Sequence, residues 1–289
     1  MQHKIRKDGR ILISPLVLFL AALLGFPLLV DLVYSVSDVG FENILNPRLS
    51  GMGNYAKAIS DPEFWQAAWF SLRFGLIVAV LEVALGLVLA IYLSPLLNKR
   101  PWLIAFLMLP MMVAPALVGL MYRLILHEFV GPVPYYLLEW FNDFPAFLNH
   151  ANAFKTLVTI EVLQWTPFAL LILYTAYASI PQDIIEAASL DGAQGWNRFL
   201  AIELPMIAPA LGVTFFIRFI DSFRVFDNIY TLVGAGAGGA TTSMSIYIYQ
   251  AFFKVGNIGL AVAASMLLLL ASFLVLLLIN KLTQREAVA

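Results

Sequence analysis

The sequence predicts an all-α integral membrane protein with six transmembrane helices, and three observations support this prediction. Hydrophobic residues make up 61% of the 289 residues and charged residues only 12%, whereas a soluble domain has about a quarter charged residues. Aromatic residues make up 13%, which suits a chain that meets both lipid and the membrane interface. Six apolar stretches reach the roughly 20 residues that a helix needs to cross a hydrocarbon core of about 30 Å.

The predicted spans are separated by more polar loops, and several contain a proline. They lie near 11–35, 68–95, 102–125, 154–179, 206–227 and 258–280. The first is too long for the core of a signal peptide, so we interpret it as a retained helix. The prolines within spans are Pro27, Pro110, Pro115, Pro167 and Pro209. Because proline removes a helical hydrogen bond, these spans should kink and pack as a bundle that satisfies the freed backbone, whether for packing alone or also for gating.

The distribution of Lys and Arg predicts the orientation. With the amino terminus inside, more basic residues lie in or beside cytoplasmic segments than in or beside outer ones, as the positive-inside rule requires. We therefore predict a cytoplasmic tail at 1–10, a transmembrane domain over 11–281 and a cytoplasmic tail at 282–289. The aromatic, proline-rich loop at 127–153 is then outside, where it forms either a short interfacial helix or part of a docking face.

Composition excludes several function classes. A net charge of -1 provides no basic surface for nucleic acid. The chain has no cysteine, so disulfides and thiolate metal sites are excluded. The His residues are scattered, and neither a catalytic nor a metal site is predicted. A phosphate-binding loop needs a Gly-Lys pair, which the sequence lacks, so the chain is not predicted to bind and hydrolyse ATP through such a loop.

The cytoplasmic segment at about 181–205 contains a predicted short helix. Pro181 suits the first turn of a helix, good helix formers follow it, and Gly192 suits the left-handed backbone at a helix end. The small, partly apolar face consists of Ile184, Ala187, Ala188 and Leu190. Such a helix fits a groove on another protein.

The same segment carries a long motif with fixed spacing. Glu186-Ala187-Ala188 is followed after three residues by Gly192, and after nine more residues by Ile202, with Leu204 and Pro205 close behind. Together with SIPQDIIEAASLDGA, QWTPFALL in the fourth span and FRVFDNIYTL at 223–232, this motif resembles the permease subunits of ATP-binding-cassette (ABC) importers, in particular those for carbohydrates. The resemblance covers most of residues 102–260.

This resemblance implies a fold, a function and a set of partners. The fold is the ABC type I importer permease architecture, in the bacterial cytoplasmic (inner) membrane with both termini cytoplasmic. The function is import of a sugar, oligosaccharide, polyol or sugar derivative by alternating access. The partners are a second permease subunit (a different one or another copy), two copies of an ATP-binding subunit, an extracytoplasmic solute-binding protein and membrane lipid. ATP and Mg are bound by the partner subunits, and this chain binds no cofactor.

The resemblance also implies which residues couple the permease to the ATP-binding subunit. These residues are Glu186, Ala187, Ala188, Asp191, Gly192, Ile202, Leu204 and Pro205. One segment departs from the family. Many relatives have a Gly-Gly-Pro turn after the fifth span, whereas this chain has the proline-free run 234–239, and the contacts of that loop with a binding protein are therefore in question.

Charged and polar residues within the spans mark the candidate substrate path. Charges in lipid are costly and usually face a cavity or one another. On a helical wheel, Arg218, Asp221, Arg224 and Asn228 share a broad face, with Asp221 within reach of both arginines. A structural salt-bridge ladder and a polar cavity both fit this pattern. The candidate substrate-path residues are Glu161, Trp165, Arg218, Asp221, Arg224, Asn228 and Tyr230.

The residue types of this path suit a sugar, because hydroxyls need donors and acceptors and a sugar ring stacks on an aromatic face. Three arginines, Arg73, Arg218 and Arg224, outnumber the two acidic residues Glu161 and Asp221. This surplus of positive charge also allows an acidic substrate. Two alternatives stay open at this point. They are an ABC permease for another polar solute, such as a phosphate ester, and an ion-coupled secondary transporter.

Overall fold

The computed structural model describes residues 2–142, 146–234 and 239–286, and these are almost entirely helical. The helices are α1 (Gln2–Ser35), α2 (Gly53–Ser60), α3 (Pro62–Lys99), α4 (Trp102–Leu107), α5 (Leu109–Met112), α6 (Pro115–Ile125), α7 (Pro132–Phe141), α8 (Ala153–Ala178), α9 (Gln182–Leu190), α10 (Gly195–Arg198), α11 (Leu204–Phe223), α12 (Asp227–Val233), α13 (Met244–Tyr249) and α14 (Ile258–Glu286). Two π-helical turns lie at Phe199–Glu203 and Gln250–Lys254. The described β-structure is limited to a pair of two-residue antiparallel strands, β1 (Ser37–Asp38) and β2 (Arg48–Leu49), and an isolated antiparallel bridge between Gly40 and Asn257.

Five helical segments of the described chain are long and apolar enough to cross a membrane. They are Ile13–Ser35, Pro62–Lys99, Ala153–Ala178, Gly195–Phe223 and Ile258–Val275. They coincide with five of the six predicted spans. Helix α1 begins at Gln2 and α14 continues to Glu286. The segments predicted as tails are therefore helical as far as they are described, and residues 287–289 of the second lie outside the described ranges.

The third predicted span is not one continuous helix, so the prediction for 102–125 was wrong in this respect. Helices α4, α5 and α6 share this stretch, and Val113 and Ala114 are extended, with ψ of 133° each. Helical geometry is disfavoured for the residue before a proline, and Ala114 precedes Pro115. The carbonyl oxygen of Val113 accepts a hydrogen bond of 3.0 Å from Gln164 Nε2 on α8. A side chain of a neighbouring helix thus satisfies the interrupted backbone, as a membrane requires.

The fifth predicted span ends earlier than expected, at Phe223 instead of 227. The carbonyl oxygens of Arg224 and Val225 leave the helix and accept hydrogen bonds of 2.7 Å from the hydroxyls of Ser245 and Ser243. Asn228 therefore belongs to the separate helix α12. The single helical wheel that put it beside Arg218 does not apply, because the wheel assumed an unbroken helix.

The chain divides into two compact units, Met1–Phe64 with Tyr247–Ala271 and Trp65–Ile246 with Ser272–Ala289. In the first unit, Val39, Ile258 and Val262 form a small core, and Asn54 Nδ2 donates to the carbonyl oxygens of Ser35 and Ser37 at 3.1 and 2.7 Å. These contacts hold helix α2 against the end of α1 and the start of β1.

The second unit contains the larger core, built from α3, α6, α8 and α12. Buried side chains of this core include Phe74, Val118, Leu157 and Ile229. Helix α3 approaches α8 closely at Gly86, where an added Cβ would lie 2.7 Å from Ala169 Cβ and 2.9 Å from the backbone nitrogen of Leu170. Small residues at such crossings allow helices in membranes to pack at short range.

Two of the predicted loops contain features that the sequence suggested. The loop at 127–153 contains the ten-residue helix α7, so the prediction of a short helix is confirmed, and its Trp140 and Phe141 are exposed. Residues 143–145 of this loop are not among the described ones. In the glycine-rich run 234–239, only the two terminal residues are described, and both have a positive φ. The predictions for residues 235–238 lie outside the described residues.

Candidate functional site

A buried ion pair between spans lies at the centre of the second unit. Arg218 on α11 donates from Nε to Glu82 Oε2 at 2.5 Å and from Nη2 to Glu82 Oε1 at 3.3 Å. The side chains are 1% and 0% exposed. A buried ion pair is tolerated only with good geometry and further hydrogen bonds, and the two-point contact of a guanidinium on a carboxylate supplies that geometry.

Besides Glu82, the guanidinium of Arg218 contacts two more carboxylates and an aromatic ring. Its Nη1 donates to Asp221 Oδ2 at 3.1 Å, and its Nη2 lies 3.8 Å from Glu161 Oε1 on α8. Its guanidinium carbon also lies 4.6 Å from the centroid of the Trp165 ring, within the range of a cation–π contact. One side chain therefore connects α3, α8 and α11.

A second polar chain continues from Glu161 toward the break after α5. Asn228 Nδ2 donates to Glu161 Oε2 at 2.5 Å and to Gln164 Oε1 at 3.0 Å, and Gln164 in turn donates to the Val113 carbonyl. Because both acceptors require the amide nitrogen of Asn228, its Oδ1 points elsewhere. That oxygen is buried and has no hydrogen-bond partner among the described residues.

An open cleft of about 390 Å³ lies beside this network. Five of the seven candidate substrate-path residues line it, namely Glu161, Trp165, Asp221, Arg224 and Asn228. Its size falls within the usual range of small-molecule sites, roughly 300–1,000 Å³. No group of three or more His, Cys, Asp or Glu residues arranged for a metal ion occurs in the part of the chain that the structure describes.

The other two candidate residues lie elsewhere. Arg218 is not among the residues that line the cleft, and its buried guanidinium instead supports Glu161, Trp165 and Asp221, which do. Tyr230 stacks on Phe226, with ring centroids 5.0 Å apart and an interplanar angle of 14°, and packs against the hydrophobic core. The Tyr230 ring is therefore held by hydrophobic packing. The sequence shows only a polar aromatic residue and does not reveal this packing.

Sequence reasoning missed three residues of this site. Glu82 is the principal partner of Arg218, Gln164 joins the polar chain, and Asp227 lines the cleft. A signal for Glu82 was present, because it is the single acidic residue within 68–95 and a charge in a span needs a partner. Nothing in the sequence predicts the hydrogen bond from Gln164 to the Val113 carbonyl oxygen, because that contact depends on the break in the third predicted span.

The charge balance of the cleft is opposite to the one expected from the sequence. Arg218 is paired with Glu82, and Arg73 lies 4.1 Å over the Phe154 ring. The charged residues that line the cleft are the carboxylates Glu161, Asp221 and Asp227 and the guanidinium of Arg224. The surplus of arginines that allowed an acidic substrate is therefore absent from the described cleft, because the count omitted Glu82 and Asp227.

The predicted coupling segment presents a short exposed helix. In α9, Glu186 and Ala187 are exposed, and Leu190 is 90% exposed. Nearby Trp196 is 69% exposed.

Gly192 ends this helix with the backbone that the sequence predicted. Its φ is +82°, and the amides of Ala193 and Gly192 donate to the carbonyl oxygens of Ala188 and Ser189 at 2.9 and 3.3 Å. This is a complete Schellman motif, which favours glycine. Gly192 therefore has a local structural role, which is to end helix α9, and this role does not depend on a docked partner.

The remaining motif residues differ in exposure. Ala188 is only 5% exposed, whereas its neighbours Glu186 and Ala187 are exposed. It lies on the side of the amphipathic helix that faces the rest of this chain. Asp191 and Pro205 are exposed, whereas Ile202 and Leu204 are half-buried where the segment joins α11.

We predict that Glu82→Gln strongly destabilises the chain. Breaking one partner of a buried ion pair costs about 3–5 kcal/mol, and the remaining contacts of Arg218 should keep the loss near the lower value. Arg224→Gln is the matched control, because the Arg224 side chain is 66% exposed and exposed pairs contribute about 1 kcal/mol or less. The measurement is the unfolding midpoint of the purified chain in detergent. Equal losses in the two variants would contradict the central role of Glu82.

Comparison with known proteins gives this arrangement a family. The model of the binding-protein-dependent transport system inner membrane component matches residues 82–288. The trehalose/maltose transport system permease protein MalF of Thermococcus litoralis is 32% identical over 275 residues, covering 92% of this chain and 90% of that protein. The trehalose transport system permease protein SugA of Mycobacterium tuberculosis H37Rv is 29% identical, covering 91% and 84%.

A solved structure agrees in fold. A chain of a bacterial alginate ABC transporter, crystallised in complex with an alginate pentasaccharide-bound periplasmic protein, superposes with a TM-score of 0.83 at 19% identity and covers 99% of this chain and 98% of its own. The fold is therefore that of ABC type I importer permeases, as the motif resemblance implied. The family-model match over residues 82–288 favours a binding-protein-dependent transport system over an ion-coupled secondary transporter. This chain belongs to the family of binding-protein-dependent transport system inner membrane components, and it is a multi-pass membrane subunit of that class of importer.

Proposed function

We propose that this chain forms half of the translocation pathway of an ATP-driven importer for neutral sugars, oligosaccharides or polyols. A second permease subunit, different or identical, completes the pathway. Two ATP-binding subunits, which hold ATP and Mg, dock on the cytoplasmic side, and an extracytoplasmic binding protein delivers the solute. The chain lies in the bacterial cytoplasmic membrane with both termini inside, and the pathway opens alternately to the two sides.

The observation that carries the sugar assignment is the free acceptor of Asn228 in the cleft. A buried oxygen without a partner is costly, and Asn228 Oδ1 is such an atom on a residue that lines the cleft. A hydroxyl of a bound sugar can donate to it. The carboxylates of Glu161 and Asp221 add acceptors for further hydroxyls, since an ionised carboxylate only accepts.

Trp165 adds the apolar part of the same site. It lines the cleft, and its ring already lies against Arg218, which fixes its orientation. The flat, apolar face of a sugar ring stacks on such a surface. The relatives named for trehalose, maltose and starch degradation products support the same substrate class.

The charges in the cleft favour a neutral solute over a phosphate ester or another acidic compound. Glu161, Asp221 and Asp227 would repel an anion, and Arg224 already pairs with Asp221 at 3.2 Å. An uncharged polyol avoids this repulsion and uses the same carboxylates as hydrogen-bond acceptors.

The exposed face of α9 supports docking of an ATP-binding subunit at the coupling motif. Glu186, Ala187 and Leu190 are exposed there, and a helix of this length fits a groove on a partner. Glu186 can form a charged contact with that partner, while Ile202 and Leu204 fix the segment to the start of α11. Motion of the ATP-binding subunits would reach the spans through this segment.

We predict that Glu186→Trp reduces association with the ATP-binding subunits without altering the fold of this chain. The bulky ring would obstruct the docking groove, and the minority of interface positions that dominate binding, clustered near the centre, cost more than about 1 kcal/mol when changed. Glu42→Trp is the control, because Glu42 is also an exposed glutamate but lies on the predicted outer side. Co-purification from membranes measures association. Undiminished co-purification of the Glu186→Trp variant would contradict docking at α9.

We predict that Trp165→Ala lowers the apparent affinity for sugar in reconstituted transporter, because the sugar loses the apolar face on which it stacks. The expected loss is similar to the contribution of a pair of aromatic rings, about 0.5–1.5 kcal/mol. Leu163→Ala on the same helix is the control, since Leu163 is 57% exposed and does not line the cleft. The assay is initial uptake of labelled trehalose and maltose, with a sugar phosphate and a uronic acid oligosaccharide as competitors. Competition by the acidic compounds alone would contradict the neutral-sugar assignment.

A further inference from the structure

A buried glutamate lies at the cytoplasmic end of the second unit, at the variable position between Ile202 and Leu204 of the motif and outside the cleft. Glu203 is 2% exposed, although the chain around it is partly exposed. Its Oε1 accepts from Arg198 Nε at 2.7 Å, and its Oε2 accepts from the Tyr177 hydroxyl at 2.9 Å. A buried carboxylate is costly unless it is paired and hydrogen-bonded, so these contacts determine where Glu203 can lie.

The positions of these residues along the chain show which helices the cluster connects. Tyr177 is the penultimate residue of α8, which ends at Ala178. Glu203 is the last residue of the π-helical turn that leads into α11. The hydrogen bond between Tyr177 and Glu203 therefore joins the two ends of the segment that carries α9, and it connects the predicted fourth and fifth spans at their cytoplasmic ends.

Arg198 adds a contact from within the segment. It ends the short helix α10, so its ion pair ties α10 to the base of α11. The following Phe199 is 8% exposed, and its ring lies 5.0 Å from the ring of Trp196. The π-helical turn at Phe199–Glu203 aims Phe199 and Glu203 into the protein, and such turns are frequent at functional sites.

We propose that Tyr177, Arg198 and Glu203 form a clasp that makes the coupling segment rigid, so that movement of α9 displaces α8 and α11 together. The three residues are positioning residues, because they touch neither solute nor nucleotide. The proposal rests on the proposed docking of ATP-binding subunits at α9. It separates two properties that the motif alone does not: docking, which needs the exposed face of α9, and transmission, which needs the clasp.

The chain offers a closely matched pair of variants for the test. Tyr177→Phe removes the hydroxyl that bonds to Glu203 and keeps the ring. Tyr174→Phe, one turn earlier on the same helix, also removes one hydrogen bond, because the Tyr174 hydroxyl donates to Asn98 Oδ1 at 2.7 Å. That bond joins α8 to α3 and does not involve the coupling segment, so the control changes stability in a comparable way.

The absence of cysteine from the chain allows a direct readout of transmission that needs no identified solute. A single Asp227→Cys substitution puts a thiol in the lining of the cleft, and the rate of its reaction with a maleimide reports how the cleft opens. The assembled complex is labelled with ADP, with ATP and with ADP–vanadate. The nucleotide-induced change in labelling rate measures transmission, and co-purification of the ATP-binding subunits measures docking.

In the Tyr177→Phe variant, the nucleotide-induced change should fall several-fold while co-purification is kept, because a hydrogen bond to a charged group is lost. Tyr174→Phe should keep both. Arg198→Gln should act like Tyr177→Phe, and Arg198→Lys should restore part of the change by returning the charge. A full nucleotide response in Tyr177→Phe, or an equal loss in Tyr174→Phe, would overturn the clasp. Failure of the ATP-binding subunits to bind the unchanged chain would instead overturn the proposed docking, and the clasp with it.

Discussion

The guanidinium of Arg218 is the constraint on which the second unit depends. A charge at this depth in a membrane protein must be neutralised by its neighbours, and Arg218 is neutralised by carboxylates on three helices, those of Glu82, Glu161 and Asp221. These contacts fix how α3, α8 and α11 pack. They also fix Glu161 and Asp221 in the wall of the cleft, so the buried network and the candidate binding surface are built from the same groups.

Irregular backbone gives this surface its remaining polar groups. The chain leaves helical geometry at Val113 and again at Arg224, and side chains from other elements satisfy the freed carbonyl oxygens. The second break puts Asn228 on a new helix, where its amide nitrogen is held by Glu161 and Gln164 and its oxygen is left without a partner. Non-helical backbone at membrane depth is tolerated where it is buried in protein or lines a cavity, and the two breaks fit that rule.

Sequence alone predicted the class of fold, five of the spans and the short helix that ends at Gly192, because each depends on local composition or on one residue's backbone preference. It failed where several elements must meet. The breaks near Pro115 and Arg224 could not be inferred from prolines, since Pro167 and Pro209 lie within continuous helices. The partner of Arg218 is 136 positions away, and pairing over that distance follows from packing, which spacing does not encode.

The central claim is that Arg218 and Glu82 hold the wall of a sugar-binding cleft. The most direct measurement is an electron cryo-microscopy structure of the assembled transporter trapped with trehalose or maltose in its membrane pathway. The account predicts sugar density against Trp165 with a hydroxyl within hydrogen-bond distance of Asn228 Oδ1, and an intact contact between Arg218 and Glu82. Sugar bound away from this cleft, or an Arg218 guanidinium that leaves Glu82 to contact the sugar directly, would contradict it.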